Sequence, residues 1–307
     1  MNPTRDERAE KVTEFHKSCL HSGFIELAPY VFELKGSFSK TLTLCTLVHG
    51  NEVGGIEVFL KLLEEIYSKR LIVKSNLRLI LGNVEAYLED KRFLETDLNR
   101  AFGLDEHEKK EELRAREFES FLRDSDVLID IHQTIGPTSN PFYIFEYEKK
   151  SYNLARYLHP TLPIVAITKK RNFKGKTSTA YTIGNGGMGI TIETGQKAIE
   201  ETQISLGVLI ARKAIETDFE ENLPVAPLSN TYQFSQIINN PEGTFELVSK
   251  YSNFDPVKKD ELLAKNADEK VYSEVEGKIL FPKYGEYAKS SIELALILRP
   301  VQSEEDL

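Results

Sequence analysis

Thr41-Leu42-Thr43-Leu44-Cys45-Thr46-Leu47-Val48-His49-Gly50-Asn51-Glu52-Val53-Gly54-Gly55 is the stretch on which the rest of the chain turns. Its first eight residues are mostly apolar or β-branched and read as a strand, with Leu42, Leu44 and Leu47-Val48 as its buried positions. The run stops at His49, Glu52 follows three residues later, and the two glycines open an amphipathic segment. A strand that passes into a helix across His-x-x-Glu can point an imidazole and a carboxylate at one metal ion. Zinc takes such ligands at about 2.0–2.2 Å and, in catalytic sites, keeps one position for water. Taken alone the motif is common by chance, and the glycines would equally serve a tight turn. If it binds zinc, a third ligand and a general base must come from elsewhere in the chain.

Outward from this stretch the periodicity predicts a layered protein. Upstream lie a short surface helix over Arg5–Leu20 and an early strand, part of a hairpin, over Phe24–Leu34. The clearest helix is Gly55–Lys69, where Ile56, Phe59, Leu60, Leu63, Ile66 and Tyr67 recur at spacings of three and four. Asn76–Leu81 is a strand, and Lys109–Arg123 a charged helix burying Leu113, Phe118, Phe121 and Leu122. Ser125–Ile131 is short and largely apolar, as strands covered on both faces are. Phe142–Phe145, Leu162–Ile167 and Gly189–Ile192 are further strands; Tyr152–Leu158 and Ser205–Phe219 are helices. Strands alternating with helices imply an α/β domain with helices over a largely parallel sheet. Asn222–Asn230, with Pro224 and Pro227, reads as a linker. Short strands follow over Thr231–Ile238, Gly243–Lys250, Val271–Val275, Lys278–Phe281 and Ile292–Leu298. The expected organisation is an α/β domain over 1–222 and a small β-rich domain over 223–307.

Composition narrows the class. A chain of 307 residues can bury a sizeable core, and a net charge of −9 argues against a general nucleic-acid binder. No apolar run approaches the roughly 20 residues a membrane span needs, and the charged segment Met1–Lys17 is no signal peptide. Cys19 and Cys45 form no disulfide framework. A cytoplasmic location is expected, and no feature marks a particular oligomeric state.

Three expected strands end in a residue able to bind metal or move a proton. His49 follows the first, His132 follows Ser125–Ile131, and Glu193 follows Gly189–Ile192. In open α/β sheets ligands bind beyond the carboxyl ends of the strands. His49 and Glu52 form a close pair, and His132 comes 80 residues after Glu52, a natural layout for three ligands and an open position. Asp130 precedes His132 by two, so strand alternation puts both on one side, where the carboxylate can orient the imidazole. A fourth stretch, Lys91–Arg100, offers Arg92, Asn99 and Arg100 as donors for carboxylates and oxyanions. In a generic loop these would be an ordinary solvated cluster.

Together, His49-Gly50-Asn51-Glu52, Asp97-Leu98-Asn99-Arg100, Asp130-Ile131-His132 and Ile192-Glu193-Thr194-Gly195 resemble the motifs of the succinylglutamate desuccinylase/aspartoacylase family, in the zinc carboxypeptidase-like superfamily. The resemblance covers about Leu42–Phe219, and the β-rich tail is consistent with the family's C-terminal domain. It implies a three-layer, zinc-carboxypeptidase-like domain with a mostly parallel or mixed sheet. It implies one Zn2+ per chain held by His49, Glu52 and His132, with Glu193 as catalytic glutamate. It implies that Arg92 polarises the scissile carbonyl and that Asn99 and Arg100 hold the substrate carboxylate.

The chain departs from the family in one place. Members acting on acyl-aspartate or acyl-glutamate often carry an arginine about ten residues before the catalytic glutamate. Here Tyr181-Thr182-Ile183-Gly184-Asn185-Gly186-Gly187 has none. Tyr181 can offer a hydroxyl instead, and Arg171, Lys174 or Lys176 can enter from the preceding basic loop. The leading expectation is a zinc-dependent amidohydrolase that cleaves an N-acyl amino acid. A carboxypeptidase or amidase acting on a short peptide, such as one from cell wall, is the alternative within enzymes. A catalytically inactive zinc-binding module is the alternative outside them.

Overall fold

The central strands are apolar on both faces, and the layering follows from that. The computed structural model describes residues 3–138, 140–168 and 175–307. Its first elements are α1 (Arg5–His21), β1 (Ile25–Ala28), β2 (Val31–Leu34), β3 (Thr41–Thr46), α2 (Gly54–Tyr67), β4 (Asn76–Leu81) and α3 (Val84–Leu88). Next come α4 (Lys110–Arg123), β5 (Val127–Thr134), β6 (Phe142–Glu146), α5 (Lys149–Leu158), β7 (Ile164–Ile167), α6 (Ser178–Gly184), β8 (Met188–Gln196) and α7 (Glu201–Ile215). The chain continues through β9 (Thr231–Asn239), β10 (Glu246–Leu247), β11 (Pro256–Val257), β12 (Leu262–Lys265) and β13 (Lys270–Tyr272). It closes with β14 (Gly277–Leu280), α8 (Gly285–Lys289) and β15 (Glu293–Pro300).

Twelve strands form one mixed sheet in the order β1-β2-β4-β3-β5-β8-β6-β7-β9-β15-β14-β11. β4, β3, β5 and β8 are parallel neighbours, and β6 joins β8 antiparallel. Alternation along the central strands feeds two cores. Leu42 and Leu44 of β3 and Val127, Ile129 and Ile131 of β5 pack with Ile56 and Phe59 of α2 and Ile210 of α7. Cys45 and Leu128 point the other way, to Phe118 and Leu122 of α4. The period of two makes the sheet the middle of three layers.

Glycine lets α2 sit close to the sheet. A Cβ on Gly55 would fall 1.7 Å from Thr46 Oγ1, so no larger residue fits where the helix passes the end of β3. The buried arc of α2 differs from the periodic reading. Val58 and Leu62 are buried, because α2 lies between α1 and α7, whereas Tyr67 in the last turn is 67% exposed. Likewise α4 buries Ala115 and Glu111 but leaves Leu113 47% exposed. Of the strand expected over Gly243–Lys250, only Glu246–Leu247 forms.

Four of the strands after Asn222, β9, β11, β14 and β15, continue the main sheet. β9 runs parallel to β7, with Ile164 opposite Thr231, and β15, β14 and β11 follow it antiparallel. The buried Arg156 guanidinium clasps the junction by donating to the carbonyls of Leu162, Ser229 and Asn230. β10, β12 and β13 make a separate three-stranded sheet, and this region has apolar clusters of its own. Among the described residues no helix is long and apolar enough to cross a membrane.

Candidate active site

Strand register brings the motif residues together. β5 lies between β3 and β8, and His132 stands opposite Glu193 across the β5–β8 pair. At the end of β3, Leu47 takes a left-handed conformation (φ 55°), and the chain turns through His49 into α2. The α2 start is tied to β5: Gly54 N–H donates to Gln133 Oε1 at 2.8 Å, and Gln133 N–H donates to Glu52 Oε2 at 3.0 Å.

His49, Glu52 and His132 are buried, and their ligand atoms lie within 4.8 Å of one another. His49 Nδ1 is 2.7 Å from Glu52 Oε1, and His132 Nδ1 is 3.0 Å from Glu52 Oε2. Each ring has a carboxylate behind it: His49 Nε2 is 3.0 Å from Asp97 Oδ1, and His132 Nε2 is 3.0 Å from Asp130 Oδ2. Asp130 Oδ2 also accepts from the Ser178 hydroxyl. Both imidazoles thus aim Nδ1 at the shared centre with a carboxylate 3.0 Å from the far nitrogen, hydrogen-bonded to it at His49 and ion-paired with it at His132, the kind of support that metal-bound histidines use. Two nitrogens and a carboxylate are a donor set that suits zinc, and these residues fit it.

The charges around this centre perturb one another. Burial pushes the Glu52 carboxyl up, but His49 and His132 outweigh it and hold it below the usual range. Burial acts against charge on His132, yet Asp130 and Glu52 raise it well above an ordinary imidazole. Burial likewise opposes ionisation of Asp97, but His49, Arg92 and Arg100 keep it well below the usual carboxylate range. Glu193 moves the other way. Burial first, then the negative charge of Glu52, push its carboxyl up to about 7. Its Oε2 is buried and has no hydrogen-bond partner among the described residues. A carboxyl that exchanges a proton near neutrality is what general acid–base work requires.

The Lys91–Arg100 stretch closes over the other side. Arg92 Nη1 is 3.2 Å from Glu52 Oε1, and Nη2 is 3.7 Å from Asp97 Oδ2. The Arg92 carbonyl accepts Gly50 N–H at 3.0 Å, which seats the loop on the His49 turn. Asn99 Oδ1 accepts Ser178 N–H at 3.0 Å at the start of α6, and Arg100 acts on Asp97 through its charge. Tyr181 is not brought into the cluster. Its ring packs on Phe102, 6.3 Å between centroids; burial pushes its hydroxyl up, and the charges that act on it are Glu119, Arg123 and Asp124 on or beside α4. Arg171 and Lys174 lie outside the described residues, and the Lys176 backbone pairs with Phe102.

The sequence reading missed four participants. Asp97 stood inside a quoted motif, two residues before Asn99, but its bond to His49 depends on loop geometry. Ser178 and Gln133 had no signal of their own, although Gln133 adjoins His132. Tyr287 of α8 comes from the far end of the chain; burial pushes its phenol up, and the charges beside it are Arg92, Asp97 and Glu52.

Residues 39–211 match the model of the succinylglutamate desuccinylase/aspartoacylase catalytic domain. A succinylglutamate desuccinylase of Shewanella woodyi is 29% identical over 89% of this chain and 86% of its own length. The succinylglutamate desuccinylase structure from Vibrio cholerae has the same fold, with a TM-score of 0.72 at 20% identity over 90% of this chain and 87% of that one. That from Chromobacterium violaceum gives a TM-score of 0.72 at 18% identity over 95% and 98%. With more than half of its length under the family model and the four motifs gathered at one end of the sheet, the chain belongs to the succinylglutamate desuccinylase/aspartoacylase family.

Proposed function

We propose that this protein is a zinc-dependent amidohydrolase that cleaves an N-acyl amino acid into a carboxylate and a free amino acid. The observation that carries the reading is Glu193: a buried carboxyl poised near neutrality, beside a three-donor cluster backed by Asp97 and Asp130. His49, Glu52 and His132 would hold one zinc ion, which supplies a Lewis acid for the amide carbonyl and lowers the pKa of water from about 15.7 to roughly 7. Glu193 takes the proton of the attacking water and passes it to the leaving amine nitrogen. The proton goes from oxygen to nitrogen, the carbon–nitrogen bond breaks, and the acyl group leaves as a carboxylate. Arg92, held between Glu52 and Asp97, meets the charge that develops on the carbonyl oxygen. Asn99 and Arg100 take the amino-acid carboxylate.

A small substrate is favoured over a peptide. Tyr287 belongs to the segment after Asn222, and its place beside Arg92 supports reading 223–307 as a wall that limits substrate size. A pure binding module would have no use for a carboxyl with a raised pKa. Free, buried Cys19 and Cys45 suit a reducing compartment such as the cytoplasm. The names of the relatives make succinyl-glutamate the first compound to try, followed by acetyl-aspartate and other acyl amino acids.

The test is turnover by zinc-loaded protein of acyl amino acids and of short peptides, with Glu193→Gln as control. Release of one amino acid, lost in the variant, is the expected result. Cleavage of peptides alone, or turnover that survives in Glu193→Gln, overturns the reading.

A further inference from the structure

The loop that carries Arg92, Asp97 and Asn99 contains little regular structure, so something outside it must fix its shape. We propose that Glu111 is a positioning residue whose buried carboxylate holds this loop in place against the His49 turn. The kinetic part of this proposal rests on the acyl-amino-acid reading; the structural part does not.

An acidic residue in the first turn of a helix is ordinary, since it faces the positive end of the dipole, and it usually stands in solvent. Glu111, in the first turn of α4, is instead 1% exposed. Its carboxylate accepts three successive backbone N–H groups, from Leu94 at 2.6 Å, Glu95 at 3.1 Å and Thr96 at 3.0 Å. These three donors curl around one anion, the arrangement by which loops cradle phosphate, here filled by the protein's own side chain. A fourth donor, Asn83 Nδ2 at 3.0 Å, ties the same carboxylate to the core. Asn83 N–H in turn donates to Leu47 O at 2.7 Å, two residues before His49.

The helix that presents Glu111 is itself pinned. Arg114 lies three residues on, hence on the same face, and donates to Gly82 O at 2.7 Å and Leu81 O at 2.9 Å at the end of β4. A rigid chain of contacts therefore runs from the sheet through Arg114 and Glu111 to Leu94–Thr96. Arg92 lies two residues to one side of that segment, and Asp97 and Asn99 lie just beyond the other. Metal binding alone does not explain why three loop amides should converge on a carboxylate of α4; a loop that must hold Arg92 to a fraction of an ångström does.

The test uses the full-length, zinc-loaded protein and Glu111→Gln, with Glu111→Asp as the variant that keeps the charge. Three quantities are read: exchange of the Leu94, Glu95 and Thr96 amides against those of Ile129 and Ile131 in β5, zinc affinity by chelator competition, and kcat and KM. In Glu111→Gln the loop amides should exchange faster while β5 keeps its protection. Zinc should bind about 10-fold more weakly, because Asp97 no longer fixes His49. The ratio kcat/KM at saturating zinc should fall about 10²-fold, the usual cost of a misplaced catalytic group. Glu111→Asp should retain more of each. Unchanged loop exchange in Glu111→Gln overturns the proposal, as does loss of protection in β5 alongside the loop, which would mark Glu111 as a plain fold residue. If the wild-type protein turns over no acyl amino acid, the function reading fails, and exchange and zinc affinity alone decide the role of Glu111.

Discussion

The strand ends and the loop opposite them build one site by different means. His132 and Glu193 are set by register, each one member of a hydrogen-bonded ladder buried on both faces. His49 and Glu52 are one turn from such a ladder. Arg92, Asp97 and Asn99 lie outside any ladder; the Glu111 side chain from α4 and the Ser178 backbone N–H of α6 fasten their loop. The first region offers stiffness that comes free with the sheet. The second offers adjustable geometry, at the cost of needing its own fastenings. Chemistry common to a fold belongs on the former, and recognition that varies between substrates belongs on the latter.

The largest expected effect lies on the strand side. Glu193→Gln should keep zinc and lower kcat by about 10²–10⁴, the usual worth of a general acid–base group. Steady-state kinetics with metal content measured on the same sample checks it. A variant with near-normal kcat would move the proton transfer away from this strand and break the division of labour.

The scaffold beneath is expected to be intolerant. Gly55→Ala places a methyl group 1.7 Å from Thr46 Oγ1, and neither β3 nor α2 can withdraw without disturbing the His49 turn. A loss of about 3 kcal/mol or more is expected, at the upper end of what overpacking costs. Denaturant unfolding of the metal-free protein measures it. A change below about 1 kcal/mol would mean that the strand side yields as readily as the loop.

The two carboxylates behind the histidines sharpen the comparison directly. Asp130 lies in β5, is fully buried and is also bonded to Ser178; Asp97 lies in the loop and its side chain is 23% exposed. Losing such a partner typically weakens metal binding by 10–100-fold. Asp130→Asn should fall at the strong end of that range and Asp97→Asn at the weak end, because the loop can readjust and water can substitute. Chelator competition on both variants tests the order; a reversed order would show the loop to be the stiffer partner.

What the sequence revealed divides along the same line. His49, Glu52, His132 and Glu193 were legible because strand ends are marked by where apolar runs stop, and Asp130 because alternation places it beside His132. The layered α/β plan was legible from strands alternating with helices, and the three layers from the family resemblance. Tyr181 was placed by its distance in sequence from Glu193, but α6 turns its ring onto Phe102. Asp97, Glu111 and Tyr287 stayed silent because each acts through a contact across 15 or more residues that no local pattern encodes. Five-residue helices such as α3 and α8 are too short for periodicity to register.

The smallest expected effect is also the one that separates the regions by their response to acid. Burial pushes the Glu111 carboxyl up, but the N–H groups of Leu94, Thr96 and Glu95 and the Asn83 amide outweigh it and leave it below its ordinary value of 4.5. A carboxyl depressed on folding adds stability that is complete above the unfolded pKa and is lost as pH falls through the folded one. Between pH 7 and 5 the loop should therefore hold. As pH falls through its lowered folded value, below 4.5, protonation of Glu111 removes the anion that Leu94–Thr96 enclose, and these amides should begin to exchange faster than those of β5, where the ladder bonds do not titrate. Amide exchange on metal-free protein, stepped from pH 6 to pH 3 and corrected for the intrinsic rate, measures the difference. Glu111→Gln supplies the control, since its loop amides should already exchange fast at pH 6 and gain little more in acid. An acid step of equal size in wild type and variant would assign the change to Asp97 and the histidines instead, and the fastening of the loop would then belong to the metal centre rather than to α4.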